Sequence, residues 1–179
     1  MGLIGFIPPE IGLLTDLRSV YLSDNLIKGK IPRQIGELKQ LEIFEGQSNE
    51  LSGSLPMELY ALTNLRQLNL AGNKLQGQLD PEINKLSRLI GLHLFSNKFS
   101  GPIPSEIGQL GSLQEITLSQ NSFNSTIPSE LGTLQQLTGL HLSNNPSLSG
   151  SIPSEIGNLR KLRTLFYFYS QWHSFHDLF

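Results

Sequence analysis

The chain repeats one pattern of hydrophobic and polar positions along its length. In residues 86–109, Leu86 is followed by leucines at spacings of three, three and two residues, and then by an asparagine, a phenylalanine, a glycine and an Ile-Pro pair. Leu110 starts the same pattern again. A fixed period with one pattern per period indicates a solenoid, in which each unit packs on its two neighbours.

Alignment on this pattern divides the chain into repeat units. The chain opens with the back half of a unit, and a partial unit begins at Leu159. Six full units of 24 or 25 residues lie between them, at 14–37, 38–61, 62–85, 86–109, 110–133 and 134–158. We predict that residues 1–167 form the repeat array. Residues 168–179 are an aromatic tail, either a cap over the open end of the core or a truncated end.

Each unit predicts one strand followed by one short helical turn. In Leu92-His93-Leu94 the two leucines point inward and the histidine points outward, as in a strand. The proline of the Ile-Pro pair fixes φ and removes a backbone donor, so the back half of the unit favours a short 3-10 or turn segment. The predicted fold is an α/β solenoid with a parallel sheet along its inner side. Its strands are expected at about 19–22, 43–46, 67–70, 91–94, 115–118, 139–142 and 163–166.

Asparagine occupies one position of every full unit, directly after the predicted strand. The chain turns at this point, and its backbone groups need new hydrogen-bond partners. A carboxamide can accept from a backbone N–H and also donate twice to backbone carbonyls, which neither an aspartate nor a serine can do. We therefore predict a structural ladder formed by Asn25, Asn49, Asn73, Asn97, Asn121 and Asn145.

Composition and charge exclude several classes of function. The formal net charge of −2 gives no electrostatic basis for binding nucleic acid or an anionic membrane. The chain has no cysteine, so it offers neither a disulfide framework nor a thiolate metal site. Its N-terminal residues lack the pattern of a signal peptide, and no apolar run is long enough for a membrane span.

The sequence predicts no catalytic or metal site. No nucleophile, base and acid fall on facing positions, and no glycine-rich phosphate-binding loop occurs. We therefore expect neither an enzyme nor a cofactor. His93 and His141 lie two strands apart, and Thr117 rather than an acid stands between them in the same column. Zinc needs about four ligands at ~2.0–2.1 Å, so this pair does not predict a metal site.

The outward positions of the predicted strands carry different types of residue from unit to unit, whereas the inward positions keep the same type. Such variation on a fixed scaffold is expected where a surface specifies a partner. Gly91 and Gly139 would leave room beside the histidine rings, and Ile90 with Phe95 would form a small exposed apolar patch. The alternative is a solvated sheet face with incidental aromatic residues. The candidate partner-binding residues are Tyr21, Glu45, Arg66, Asn69, Ile90, His93, Phe95, Thr117 and His141.

One N-x-[ST] sequence occurs without proline, at Asn124-Ser125-Thr126. Ser125 stands where most units have a glycine, which places this sequence on the back of the coil. A glycan would fit there, so Asn124 is a candidate for N-glycosylation.

The pattern LxxLxxLxLxxNxLxGxIPxxIGx resembles the plant-type leucine-rich repeat of receptor-like kinase ectodomains, receptor-like proteins and polygalacturonase inhibitors. The resemblance extends over residues 5–167. It implies a right-handed leucine-rich-repeat superhelix whose concave parallel sheet is the main ligand surface and whose convex side carries short 3-10 or turn segments. It also implies a cell-surface or extracellular location.

Several positions depart from the family pattern. Asp80 stands where the proline is expected, and Tyr60 and Asn84 replace the second glycine of their units. Gly46 occupies an inward leucine position. The chain also lacks the paired cysteines that family ectodomains usually carry in their terminal caps.

The function expected from these observations is a non-catalytic scaffold that recognises a peptide, protein or glycan on its concave face, as part of a receptor-like or recognition protein. One alternative is a structural or surface-active protein, such as an ice-binding protein. That role needs a regular array of like Thr or Asn side chains, and the outward columns are irregular. A second alternative is a regulatory ectodomain fragment of a receptor kinase.

Overall fold

The computed structural model describes residues 2–167, which form two parallel seven-stranded sheets connected by short 3-10 helices. The aromatic tail at 168–179 lies outside the described residues. Within the described part of the chain there is no α-helix. The predicted solenoid fold is confirmed.

The concave sheet contains one short strand from each unit. Its strands lie side by side in the order in which the chain forms them, and all are parallel. Each observed strand falls within the range that the leucine spacing predicts. The strands are β2 Ser19–Tyr21, β4 Ile43–Glu45, β6 Gln67–Asn69, β8 Gly91–His93, β10 Glu115–Thr117, β12 Gly139–His141 and β14 Thr164–Phe166.

The second sheet follows the asparagine turn in each unit, and the sequence pattern did not predict it. Each of its central strands buries one large apolar residue between more exposed neighbours, as Leu75 is buried between Lys74 and Gln76. One buried residue per unit is too short a signal to distinguish a strand from a loop. The strands are β1 Ile4–Gly5, β3 Leu26–Lys30, β5 Glu50–Gly53, β7 Lys74–Gly77, β9 Lys98–Pro102, β11 Ser122–Thr126 and β13 Ser147–Ser149.

A five-residue 3-10 helix closes each unit on the convex side, as predicted. In the fourth full unit Pro104 stands extended at the N-cap, and the Leu110 N–H donates to the carbonyl of Ile107 at 3.0 Å. Gly108 touches the backbone of Glu130 in the next helix so closely that a Cβ would clash. The 3-10 helices are Pro9–Leu13, Arg33–Glu37, Met57–Ala61, Pro81–Lys85, Ser105–Gln109, Ser129–Thr133 and Ser154–Asn158.

Tyr60 and Asp80, two departures from the repeat pattern, contact each other. The Tyr60 ring is buried, and its Oη accepts a hydrogen bond from the Asp80 N–H at 3.3 Å. Asp80 caps the next 3-10 helix, because its Oδ1 accepts from the Glu82 N–H at 2.9 Å. Burial raises the pKa of the Tyr60 hydroxyl. Of the described 3-10 helices, only this one has aspartate as its N-cap, and Tyr60 bonds to the backbone N–H of that aspartate.

The inward leucines form one continuous core between the sheets and the helices. Gly46, at an inward position, is surrounded by Leu70, Leu51 and the ring of Phe44. Phe44 is fully buried, and its ring occupies the space at the glycine together with the two leucines. Phe99 and Phe123 stack in neighbouring units with ring centroids 6.2 Å apart.

The asparagines after the concave strands link neighbouring units by hydrogen bonds. Asn97 accepts from the Leu75 N–H of the preceding unit at 3.0 Å and donates to the Leu70 carbonyl of that unit at 2.9 Å. It also donates to the Leu94 carbonyl of its own unit at 3.1 Å. Asn25 accepts from the Leu3 N–H at 2.7 Å, but its described donor contacts stay within its own unit.

Replacement of Asn97 tests the contribution of these bonds to stability. Asn97→Ala is expected to lower the free energy of unfolding by about 1–3 kcal/mol, because backbone groups of two units lose their partners. Asn25→Ala is expected to cost less, because Asn25 makes fewer bonds between units. Urea denaturation of both variants beside the wild type measures the difference. Equal and negligible losses would contradict a stabilising ladder.

The Tyr60 contact gives a second test. Tyr60→Phe is expected to cost about 1 kcal/mol, because the Asp80 N–H loses its acceptor. Tyr60→Gly restores the glycine of other units but is expected to cost roughly 3–5 kcal/mol, because it empties a buried site. Tyr21→Phe is the control, since the Tyr21 side chain is exposed. A Tyr60→Gly variant as stable as the wild type in thermal melting would show that the ring is dispensable.

Candidate partner-binding face

Six of the candidate residues form one row across the concave sheet. Strand register places each of them beside the next, so the row runs along the solenoid axis. Arg66 and Ile90 precede their strands, and Phe95 follows β8. In order, the central row is Tyr21, Glu45, Asn69, His93, Thr117 and His141.

His93 lies at the centre of this row and is largely covered by its neighbours. Its side chain is 20% exposed, and its Nδ1 lies 3.2 Å from the Thr117 Oγ1. Burial is the main influence on the ring and lowers the pKa of His93, while the carboxylates of Glu115 and Glu45 act in the opposite direction. The imidazole is therefore mostly neutral at pH 7, and it presents a fixed polar ring rather than a charge.

Glu115 is a residue of this face that the sequence reasoning missed. Its Oε2 lies 3.9 Å from the His93 Nε2, and its side chain is 59% exposed. In the column of the two histidines the residue between them is Thr117, not an acid. The acid comes instead from the adjacent column of the same strand. A search of diagonal neighbours would have found it, since diagonal side chains on a sheet lie within reach of each other.

The two glycines of the face differ in the space they leave. At Gly91 the predicted room is absent, because a Cβ there would clash with the Gln67 Oε1 and would lie 2.7 Å from the His93 Nε2. The side chains of the two neighbours already fill this position. A Cβ at Gly139 would instead lie 3.2 Å from the Thr164 Oγ1 and 3.7 Å from the Glu115 Cγ. The crowding at Gly139 is less severe, but Gly139 is also buried, so neither glycine leaves open room beside a histidine ring.

His141 lies beside Gly139 and helps to cover it. Its Nε2 lies 3.1 Å from the Thr164 Oγ1 and would lie 3.8 Å from a Cβ at Gly139. The ring meets Phe166 edge to face, with centroids 4.6 Å apart. Phe166 is 48% exposed and Phe95 44% exposed, so both rings present aromatic surface to solvent.

A polar groove runs along the start of the strands. It has a volume of about 520 Å³. Arg88 donates to the Asn64 Oδ1 at 2.8 Å, whereas Arg66 is exposed and forms no ion pair within residues 2–167. Ile90 lies in this groove and Phe95 about 16 Å away at the other end of β8, so they do not form one apolar patch. The groove is lined by Glu42, Asn64, Arg66, Arg88, Ile90, Ser112, Gln114 and Gln136.

Asn124 lies away from this face, on β11 of the second sheet. Its side chain is exposed, and its Oδ1 accepts from the Ser125 Oγ at 3.1 Å. Ser125 adopts a positive φ of 67°, the conformation that glycine takes at Gly101 and at other units. The geometry leaves Asn124 accessible, and its glycosylation stays a prediction.

The described residues contain no cluster of three or more histidine and acidic side chains that could hold a metal ion. None of the helices in residues 2–167 is long and apolar enough to cross a membrane.

Solved structures of plant proteins share this architecture. The plant peptide hormone receptor RGFR1, solved in complex with RGF2, matches with a TM-score of 0.88 and 36% identity over 92% of this chain and 27% of that chain. The Arabidopsis receptor kinase HAESA, solved with the peptide hormone IDA and the co-receptor SERK1, matches with a TM-score of 0.89 and 35% identity over 92% and 28%. A plant ice-binding protein matches with a TM-score of 0.71 and 29% identity over 92% and 68%.

The chain thus spans about a quarter of the length of the two receptors. No curated protein matches it by sequence. Two family models do match, "Leucine-rich repeat region" over residues 46–177 and "Leucine Rich Repeat" over residues 16–38. The resemblance to plant-type receptor ectodomains is confirmed, and since the first family model matches most of its length, the chain belongs to the leucine-rich repeat family.

Proposed function

We propose that this chain is a non-catalytic binding scaffold that recognises an extended peptide on its concave face, as part of a receptor-like protein. The observation that carries the proposal is the central row, where solvent-facing side chains differ from strand to strand on a repeating frame. The solved plant receptors that resemble the chain are bound to peptide hormones, which supports a peptide as the partner.

The dimensions of the row suit a short peptide. Glu45 and His141 are four strand steps apart, or about 19 Å at the usual ~4.8 Å between strands. An extended segment of roughly six residues covers this distance. Polar groups of the row and the exposed ring of Phe95 would supply hydrogen bonds and an apolar contact. Several contacts of different chemistry along one line give a basis for sequence selectivity.

An ice-binding role is the second candidate, because a plant ice-binding protein shares the fold. Ice recognition needs like side chains in a regular array. The central row instead mixes Glu45, Asn69, His93 and Thr117, which differ in length, charge and hydrogen-bonding groups. This mixture of side-chain types favours a peptide over ice as the ligand. Thermal hysteresis in a chain that binds no peptide would favour the ice-binding role.

A double substitution tests the concave site. A peptide selected from a random library on the wild-type chain serves as the probe. His93→Ala with Phe95→Ala is expected to weaken its binding at least tenfold, about 1.4 kcal/mol, because interface aromatic residues carry a large share of binding energy. Isothermal titration calorimetry measures the change. Phe95→Ala alone is measured beside it, because His93 is largely covered and its loss could also affect packing.

The matched control lies on the convex side, where Ser105→Ala with Glu106→Ala alters exposed parts of a 3-10 helix. It is expected to leave peptide binding unchanged. Thermal melting of every variant separates lost binding from lost folding. If the convex variant lost peptide binding while the concave variants kept it, the hypothesis of a concave binding site would be wrong.

A further inference from the structure

The second sheet carries an excess of positive charge that the chain as a whole does not have. The formal net charge of the chain is −2. The described strands of the second sheet nevertheless contain lysines and a single acidic residue, Glu50. All of these lysines are exposed. They are Lys28 and Lys30 on β3, Lys74 on β7 and Lys98 on β9.

Three of these lysines line one groove, here called the basic groove, which has a volume of about 750 Å³. Strand register places Lys30 beside Ser52 and Ser52 beside Lys74, so the two lysines are two strand steps or about 10 Å apart. Lys74 forms an ion pair with Glu50 at 2.7 Å. Lys28 and Lys30 form no ion pair within residues 2–167. The basic groove therefore presents two uncompensated positive charges.

The side chains of the basic groove are held by contacts within the sheet. The stem of Lys30 crosses Gly53, with its Cγ 3.0 Å from the position that a Cβ at residue 53 would take. Gly53 has a φ of 77°, which disfavours any side chain there, so the path of the lysine stays open. The pKa of Glu50 is lowered chiefly by its hydrogen bond to Lys74, and the charge of Lys28 acts in the same direction. The one acid of the sheet is thus already engaged.

Apolar residues form the other wall of the basic groove. Phe6, directly after β1, is 67% exposed. Its Cβ lies 3.8 Å from the position that a Cβ at Gly29 would take, so Phe6 packs against β3 between the two lysines of that strand. Covering this apolar surface would stabilise a complex. Further apolar residues of the groove are Ile7, Pro9 and Pro32.

The convex side next to the basic groove differs from the rest of the convex side. Glutamate occupies the first turn of every described 3-10 helix except Arg33–Glu37, which begins with arginine. This helix borders the groove, because its N-cap Pro32 lines it. The row of convex glutamates is therefore interrupted beside the groove and continues on both sides of it.

These features favour a short acidic segment over a long polyanion. A lysine ammonium has three donors and no acceptor, so it matches a carboxylate. A nucleic acid or a sulfated polysaccharide long enough to leave the groove would meet the convex glutamates and be repelled. It would also leave the exposed ring of Phe6 without an apolar partner. A polypeptide carries acidic and apolar side chains together and suits both walls.

We propose that the basic groove binds a short acidic segment of a partner protein, with carboxylates on Lys28 and Lys30 and an apolar side chain on Phe6. The groove spans three strand steps from β1 to β7, about 14 Å, which roughly four extended residues cover. This surface lies on the second sheet, so it is separate from the concave face and does not depend on the function proposed for that face.

Fluorescence anisotropy with the full chain and a defined probe tests this proposal. The probe is a labelled synthetic peptide of about six residues in which glutamate and phenylalanine alternate. A reference peptide has glutamine in place of each glutamate, and we expect it to bind more weakly. Lys28→Gln with Lys30→Gln is expected to weaken binding of the acidic probe about threefold to tenfold. The loss should shrink at high salt, because exposed ion pairs are screened.

Two controls locate the effect. Lys39→Gln with Lys85→Gln removes the same charge from exposed positions outside the basic groove and should leave binding of the probe unchanged. His93→Ala with Phe95→Ala alters the concave face alone and should also leave it unchanged. Loss of the probe in the concave variant but not in the lysine variant would assign the acidic peptide to the concave face and overturn the proposal.

A further variant separates the apolar contact from the charge. Phe6→Ala is expected to weaken the probe about threefold or more, because the apolar side chain of the peptide loses its partner. Phe6 is mostly exposed, and thermal melting confirms that the variant folds. Equal affinity of the wild type and the lysine variant would overturn the proposal and leave the concave site intact. Heparin or single-stranded RNA that bound more tightly than the peptide, and was lost in the lysine variant, would show a polyanion site instead.

Discussion

Stacking of each unit on its neighbours is the constraint on which the rest of the structure depends. Strands of three residues and 3-10 helices of five residues are too short to be stable alone. The inward leucines of the central units are buried in one core that runs through the units, and each described concave strand between the edge strands β2 and β14 bonds to a strand on either side. Asn97 joins the turns of two units in the same way. A unit is therefore ordered by its neighbours as much as by its own sequence.

This dependence restricts which positions can change. Where the frame departs from its pattern, a second residue accommodates the departure: Tyr60 accepts from the Asp80 backbone, and Phe44 occupies the space at Gly46. The outward residues of the concave strands differ from one unit to the next, and no such rule links them to the core. Positions that the frame does not fix are free to specify a partner, which is the physical basis of the proposed binding face.

The sequence predicts the parts of the fold that repeat, because repetition confirms each weak local signal several times. It locates the concave strands and the 3-10 helices. It misses the second sheet, where one buried residue such as Leu75 is the whole signal in a unit. For the site, column alignment predicts which residues share a row. It does not predict the direction in which long side chains extend across that row. The contact of Glu115 with His93, and the filling of Gly91 by Gln67, depend on side-chain reach and conformation.

Charge is distributed unevenly over the resulting face. Arg66 lies in the polar groove just before its strand, while Glu115 is the first residue of a strand two units further along the solenoid. Two opposite charges at separate places impose a direction on any ligand that carries both, because the reversed ligand meets like charges at each end. A repeat frame is nearly symmetric along its axis, so direction cannot come from the leucines or the asparagines. It has to come from the residues that break the repeat, and on this face the charged side chains do so most strongly.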